Sequence, residues 1–297
     1  MIRCRIIYLF RTLTLAVAMA SLASIAQGAS DTPAVEEIVN RANLVSYFQG
    51  RDGRARVPMI ITDNQDRTRR REVTILRRDG PETDALDEGA YLGEQQYYVY
   101  FRRPADVSQM ALLVWKYQGR DDDRWMYLPA LDLVKRIAAS DKRTSFVGSD
   151  FFYEDISGRN IDADSHELID TTDNYYVVRN KPKDPQAVEF AYYDVYIHKQ
   201  TFLPISTEYI DESGNAYRRY TALAVEDVQG YPTVVKARME DLRSGSTTEL
   251  TYSGVGYDLD LPEEIFTERY LRRGGFVRPA VSPARLLGCP WRGPAER

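Results

Sequence analysis

Acids, arginines and aromatic residues crowd two neighbouring runs of the sequence, DRWMYLPALDLVKRI (123–137) and SFVGSDFFYED (145–155). Asp150, Glu154 and Asp155 lie close enough in sequence to form a carboxylate pair for acid–base work. The same acids suit a plainer use, capping a helix start and pairing with Lys142, Arg143 and Arg159, and this is the expectation. Asp121, Asp122 and Asp123 are consecutive, so on an extended chain they point to alternate sides. A calcium loop spaces its ligands at every second position, so a solvated hairpin turn is predicted instead. The two histidines, His166 and His198, have no Cys or His at metal-ligand spacing. Neither a Gly-x-Ser-x-Gly elbow nor a phosphate-cradling glycine loop appears. No enzyme, metal or cofactor is expected. Arg67, Arg69, Arg70 and Arg71 mark a hairpin that is either a solvated turn or a docking patch for an acidic partner.

The elements that must position these residues alternate with a period of two. Eleven segments, from VPMIIT (57–62) to TELTYSGV (248–255), are rich in Val, Ile, Thr and Tyr and are separated by short turn signals. They predict an antiparallel meander, too long for one flat sheet, that curls into a barrel or half-barrel. Residues 33–50 read as a helix, with Val35, Ile38, Val39, Ala42 and Val45 at helical spacing and Thr32 as cap. Residues 138–158 break the strand pattern and read as a loop with short helical turns. Several strands are apolar on both faces: either something covers the outer face, or the inner face bounds a cavity while tyrosines tile the outside. The excess of 21 tyrosines over 10 phenylalanines favours half-exposed aromatic surface.

The first 28 residues carry Arg3, Arg5 and Arg11, then the apolar run LTLAVAMASLASIA, then Ala26-Gln27-Gly28. That is the pattern of a cleavable signal peptide, short of the ~20 apolar residues a spanning helix needs. No cysteine follows the cleavage site, and the LLGC at 286–289 lies behind no apolar segment. The mature chain keeps only Cys289, so no internal disulfide is expected. A net charge of −5, more negative once the leader is removed, argues against nucleic acid as a partner. The expected layout is a signal peptide over 1–28, one domain over 29–273, and a disordered tail over 274–297. The expected product is a soluble monomer in the periplasm.

The run RWMYLPALDLVKRIAASDKRTSFVGSDFFYEDI (124–156) resembles the signature of the outer-membrane lipoprotein-sorting proteins, the larger relatives of the periplasmic carrier LolA and its receptor LolB. HKQTFLPISTEYIDESGN (198–215) is similar to the family's Leu-Pro strand and following hairpin, and LPEEIFTERYL (261–271) to its closing segment. The resemblance implies a mainly β, α+β fold: an unclosed, strongly curved antiparallel β-barrel of about eleven strands, with helices covering an apolar cavity. It implies a carrier of lipid or lipoprotein acyl chains between membranes, working with an inner-membrane exporter of the resistance-nodulation-division (RND) type. The rival reading is a periplasmic sensor of lipid or lipoprotein that signals by binding a membrane protein.

On that fold the candidate cavity residues are Met59, Ile61, Val73, Ile75, Val99, Phe101, Leu112, Val114, Trp125 and Tyr127. On the strand that carries the last two, either Trp125 and Tyr127 or Met126 and Leu128 line the cavity. The candidate lid or plug is Phe146, Val147, Gly148, Phe151 and Phe152, with Gly148 giving it freedom to bend.

Overall fold

A computed structural model describes residues 32–80 and 93–273. The expected signal peptide, mature start and C-terminal tail lie outside the described residues. The described residues open with helix α1 (Val35–Tyr47). Strands β1 (Asp52–Thr62), β2 (Thr68–Asp79), β3 (Gln95–Arg103), β4 (Ala111–Lys116), β5 (Asp123–Leu128) and β6 (Leu133–Ile137) follow. A five-residue helix α2 (Tyr153–Ser157) leads to β7 (Asp164–Thr171), β8 (Tyr175–Pro182), β9 (Tyr192–His198) and β10 (Pro204–Ile210). The chain then forms β11 (Ala216–Val228), β12 (Tyr231–Asp241), β13 (Ser246–Thr251), β14 (Ser253–Tyr257) and helix α3 (Glu268–Leu271).

Among the described residues fourteen strands join one antiparallel sheet in the order β6-β5-β4-β3-β2-β1-β13-β12-β11-β10-β9-β8-β7, with β14 also on β1. The sheet is not closed: β6 and β7 are its two edges. The strand count therefore corrects the expected eleven. β6 and β7 were not read as strands, and the last predicted strand is two, β13 and β14, divided at Tyr252. Along β1, residues 59–62 pair with β13 and residues 53–56 with β14, while β2 runs along its other side throughout.

Three apolar clusters divide the interior. On one face of β1–β5, Val57, Met59, Val99, Phe101, Leu112 and Met126 pack around Phe146 and Phe151. On the opposite face Leu76, Tyr98, Leu113, Trp125 and Tyr127 pack under the closing segment, through Leu261, Ile265, Phe266 and Leu271. That segment is pinned by Asp52, whose two carboxylate oxygens accept the backbone N–H groups of Leu259 and Leu261, each at 2.6 Å. A strand apolar on both faces is thus explained by cover on both. The third cluster joins Ile38, Val39 and Ala42 of α1 to Tyr176, Val178 and Ile197 on β8 and β9.

Helix α1 ends where a buried cation takes its terminal carbonyls, as a C-terminal dipole favours. Arg77 donates to the carbonyls of Tyr47, Gln49 and Gly50 at 2.5, 2.8 and 2.6 Å. Its N-cap is Ala34, with no side-chain cap bond, so Thr32 does not play the predicted role.

Candidate functional site

A cavity of about 420 Å3 lies between α1, the inner faces of β1–β3 and the inner faces of β8–β12. Ile75 of β2 and Val178 of β8 both line it, although seven steps of the sheet separate their strands. Laid flat at ~4.8 Å per strand those steps would span about 34 Å, so the sheet must curl strongly for both to reach one cavity. Aliphatic walls come from Val39, Ala42, Val45, Val195, Ile197 and Val234, among others.

The cavity is not where the sequence expectation put it. Met59, Ile61, Val73, Val99, Phe101, Leu112 and Val114 do share the inner face, but they pack against Phe146 and Phe151 rather than line the opening. Of the ten candidates, Ile75 alone is a lining residue. Trp125 and Tyr127 are a correction of face. Trp125 stands opposite Leu113 and Tyr127 opposite Ala111, all in the cluster beneath the C-terminal segment. Met126, opposite Leu112, is the inward residue.

The candidate lid or plug packs into the interior. Phe146 is fully buried, its ring 5.5 Å from those of Phe101 and Tyr153. Phe151 is buried too and forms part of the cavity wall. Phe152 lies instead beneath the Arg218 guanidinium, 3.9 Å from the ring centroid. Val147 and Gly148 form the turn, both at positive φ, 52° and 77°, and Arg69 donates to the Gly148 carbonyl at 3.3 Å.

The acids hold the plug, with partners only partly as expected. Asp155 accepts the Phe152 backbone N–H at 2.6 Å, the predicted capping role. Its salt bridge, however, is to Arg218, which the sequence reading did not single out. Glu154 joins Arg143 and Arg159, as predicted, and Arg159 also grips Asp164 at 2.8 and 2.9 Å. Asp150 accepts from Ser246 and Thr248. Lys142 pairs with Asp121 rather than with this group. Asp122 departs from the solvated-turn expectation: it is mostly buried, paired with Arg124 at 2.6 Å and bound by Ser157. Burial pushes its carboxyl above the usual range. Lys116 donates to the carbonyls of Ser157 and Gly158 at 2.6 and 3.1 Å, and burial lowers its ammonium to about 8.

Tyrosines are the feature of the cavity that the sequence misplaced. Seven line it, Tyr47, Tyr97, Tyr193, Tyr209, Tyr220, Tyr252 and Tyr257, so part of the tyrosine excess faces inward rather than tiling the outside. The imbalance over phenylalanine was the available signal. His166 is also on the wall, between Asn180 Oδ1 at 2.7 Å and the Ile161 carbonyl at 3.0 Å. Among the described residues, no group of acids, His and Cys could hold a metal ion, and no helix is long and apolar enough to cross a membrane.

A family model described as that of an uncharacterized protein matches residues 93–273, more than half of the chain, and the chain belongs to that family, DUF1329. It is similar to a DUF1329 family protein from Desulfovibrio piger, with 26% identity, a TM-score of 0.71, and 81% of this chain and 100% of that one covered. A protein domain from Vibrio parahaemolyticus, named for outer membrane lipoprotein sorting, aligns at 25% identity and TM-score 0.70 over 80% of this chain and 98% of its own. A LolA superfamily protein from Nitrosomonas europaea shares the fold at TM-score 0.60, with 20% identity over 80% of this chain and 100% of that one. No curated protein matches the chain.

Proposed function

We propose that the protein is a non-enzymatic periplasmic carrier that binds the acyl chains of a lipid or lipoprotein in its cavity and moves them between membranes. The observation that carries this reading is the cavity itself. Its volume, about 420 Å3, falls in the range of small-molecule sites, and its walls are mainly aliphatic and aromatic. The Vibrio domain's name points the same way. The signal-peptide pattern supports the periplasm, and the family resemblance supports an RND-type exporter as partner. The chain works as a monomer.

The energetics suit a carrier. Each buried methylene contributes about 0.8 kcal/mol, so ten give about 8 kcal/mol. That corresponds to a dissociation constant of about 1 μM before the costs of association are subtracted. Cargo held in that range can be released to an acceptor.

The test is binding of an apolar fluorescent probe to the purified protein and to two variants that fill the cavity, Val178→Trp and Ile75→Trp. Saturable binding that both variants weaken at least tenfold supports the reading. Binding that both leave intact places the probe elsewhere and removes the cavity as the carrier site.

A further inference from the structure

Four of the tyrosines on the cavity wall, Tyr47, Tyr209, Tyr220 and Tyr252, have hydroxyls with no hydrogen-bond partner among the described residues. The other three are engaged: Tyr193 donates to Asp164 at 2.7 Å, Tyr97 to Gln95 at 2.9 Å, and Tyr257 shares a bond with Thr233 at 2.9 Å. The free hydroxyls are not sealed in the packing, because none is among the buried polar atoms without a partner. Their open surface is the cavity. A buried phenol needs an acceptor, and phenylalanine would serve as well if the wall had only to be apolar.

The four come from different parts of the chain, the end of α1, β10, β11 and the β13–β14 junction, yet act on one another. Burial, then Tyr97, Asp155, Tyr209 and Tyr252, raise Tyr47, and burial, then Tyr252 and Tyr47, raise Tyr220. Burial pushes Tyr209 and Tyr252 up to about 12. All four therefore stay protonated and can donate at any physiological pH.

Most charged groups of the wall are already engaged. Arg77 is held by three carbonyls and Asp79. Arg159 and Glu154 belong to the network with Arg143 and Asp164, and Asp155 to its bridge with Arg218. Arg54 stands opposite Leu76, on the face the closing segment covers. Among the described residues of the wall, Arg77 and Arg159 are held by other groups, whereas four neutral donors wait for an acceptor.

We propose that these four phenols form a polar subsite for an uncharged ligand oxygen, so that the cargo enters with an ester, amide or hydroxyl group inside the cavity beside its hydrocarbon chain. The proposal rests on the carrier reading and narrows its ligand class: neutral acyl esters and lipid alcohols are favoured over free fatty acids and bare alkanes.

The test displaces the fluorescent probe from the delipidated full chain with three ligands of equal chain length: monolaurin, laurate at pH 8 and dodecane. Monolaurin is expected to compete at about tenfold lower concentration than either, the gain of one or two net hydrogen bonds. Tyr220→Phe/Tyr252→Phe is expected to erase that preference while dodecane keeps its wild-type value, and Tyr47→Phe or Tyr209→Phe to reduce it partially. The wild-type ranking alone is decisive if a variant fails to fold: equal competition by the three ligands, or a preference for laurate, overturns the subsite. So does a monolaurin preference that survives in the folded double variant, since waters would then serve the phenols. In those outcomes the cavity still binds apolar ligands and the carrier reading stands. A protein that binds neither probe nor ligand overturns both.

Discussion

Tyr47 and Gly158 are in contact so close that a Cβ on Gly158 would lie 2.4 Å from Tyr47 Cζ. The last residue of α1 thus rests on the end of the plug segment, and Lys116 sits 5.0 Å from the centroid of the same ring while binding the Gly158 carbonyl. Gly158 has φ +78°, a region other residues enter at a cost. Gly158→Ala is therefore expected to destabilise the protein by about 2 kcal/mol, from strain and displaced packing together. Because Tyr47 lines the cavity, it should also weaken probe binding. Urea unfolding and a probe titration measure the two effects.

Trp125 is core under the closing segment, with its ring 5.3 Å from that of Trp115 and at 71° to it. Trp125→Ala is expected to cost about 3–5 kcal/mol. Probe affinity, measured where the variant is fully folded, should change less than that of Val178→Trp. Loss of binding without loss of stability would return Trp125 to the cavity.

This residue also shows how far the sequence could be read. Periodicity of two identified most of the strands and the curl of the sheet, because alternation survives wherever one face is buried. It could not choose between Trp125 and Met126, because both faces of β5 are covered and both are apolar. Counting register across the β4–β5 hairpin, with Leu112 and Val114 already placed inside, would have favoured Met126. β7 was missed because its pattern is polar: Asp164 is its one buried residue. The Arg218–Asp155 bridge was illegible because its partners are 63 positions apart and neither sits in a helical or cross-strand spacing. The half of the cavity wall from β8 to β12 lies in strands whose apolar residues look like ordinary core.

The plug should loosen when its lock is cut. Asp155→Asn leaves Arg218 buried without its counter-charge, which is expected to cost about 3 kcal/mol. Hydrogen exchange over residues 145–155 should speed up in this variant. In the wild type the same segment should be slower to exchange with lipid bound than without, since Phe151 forms part of the cavity wall. Equal protection in both states would make the segment ordinary core.

Asp79 gives a signed pH dependence. Burial outweighs the Arg77 bridge and the Gln95 bond and raises its carboxyl to about 6. Between about 4, the unfolded value, and 6 the folded protein holds a proton that the unfolded chain has released. Stability from this group is therefore full below about 4 and lost as pH rises through 6, by up to about 3 kcal/mol. Carboxylates such as Glu72 and Asp241, lowered by their partners, slope the opposite way. The difference between wild type and Asp79→Asn isolates the effect: stability relative to the variant should fall from pH 4 to pH 7 in urea titrations. A flat difference would mean that folding leaves the Asp79 carboxyl unshifted.

Native mass spectrometry of the protein isolated from its own cell envelope tests the carrier reading most directly. One acyl lipid per chain is expected on the wild type, and none on Val178→Trp, whose cavity is filled. A wild-type chain that carries no lipid, and takes up none when incubated with vesicles of total envelope lipid, would contradict it.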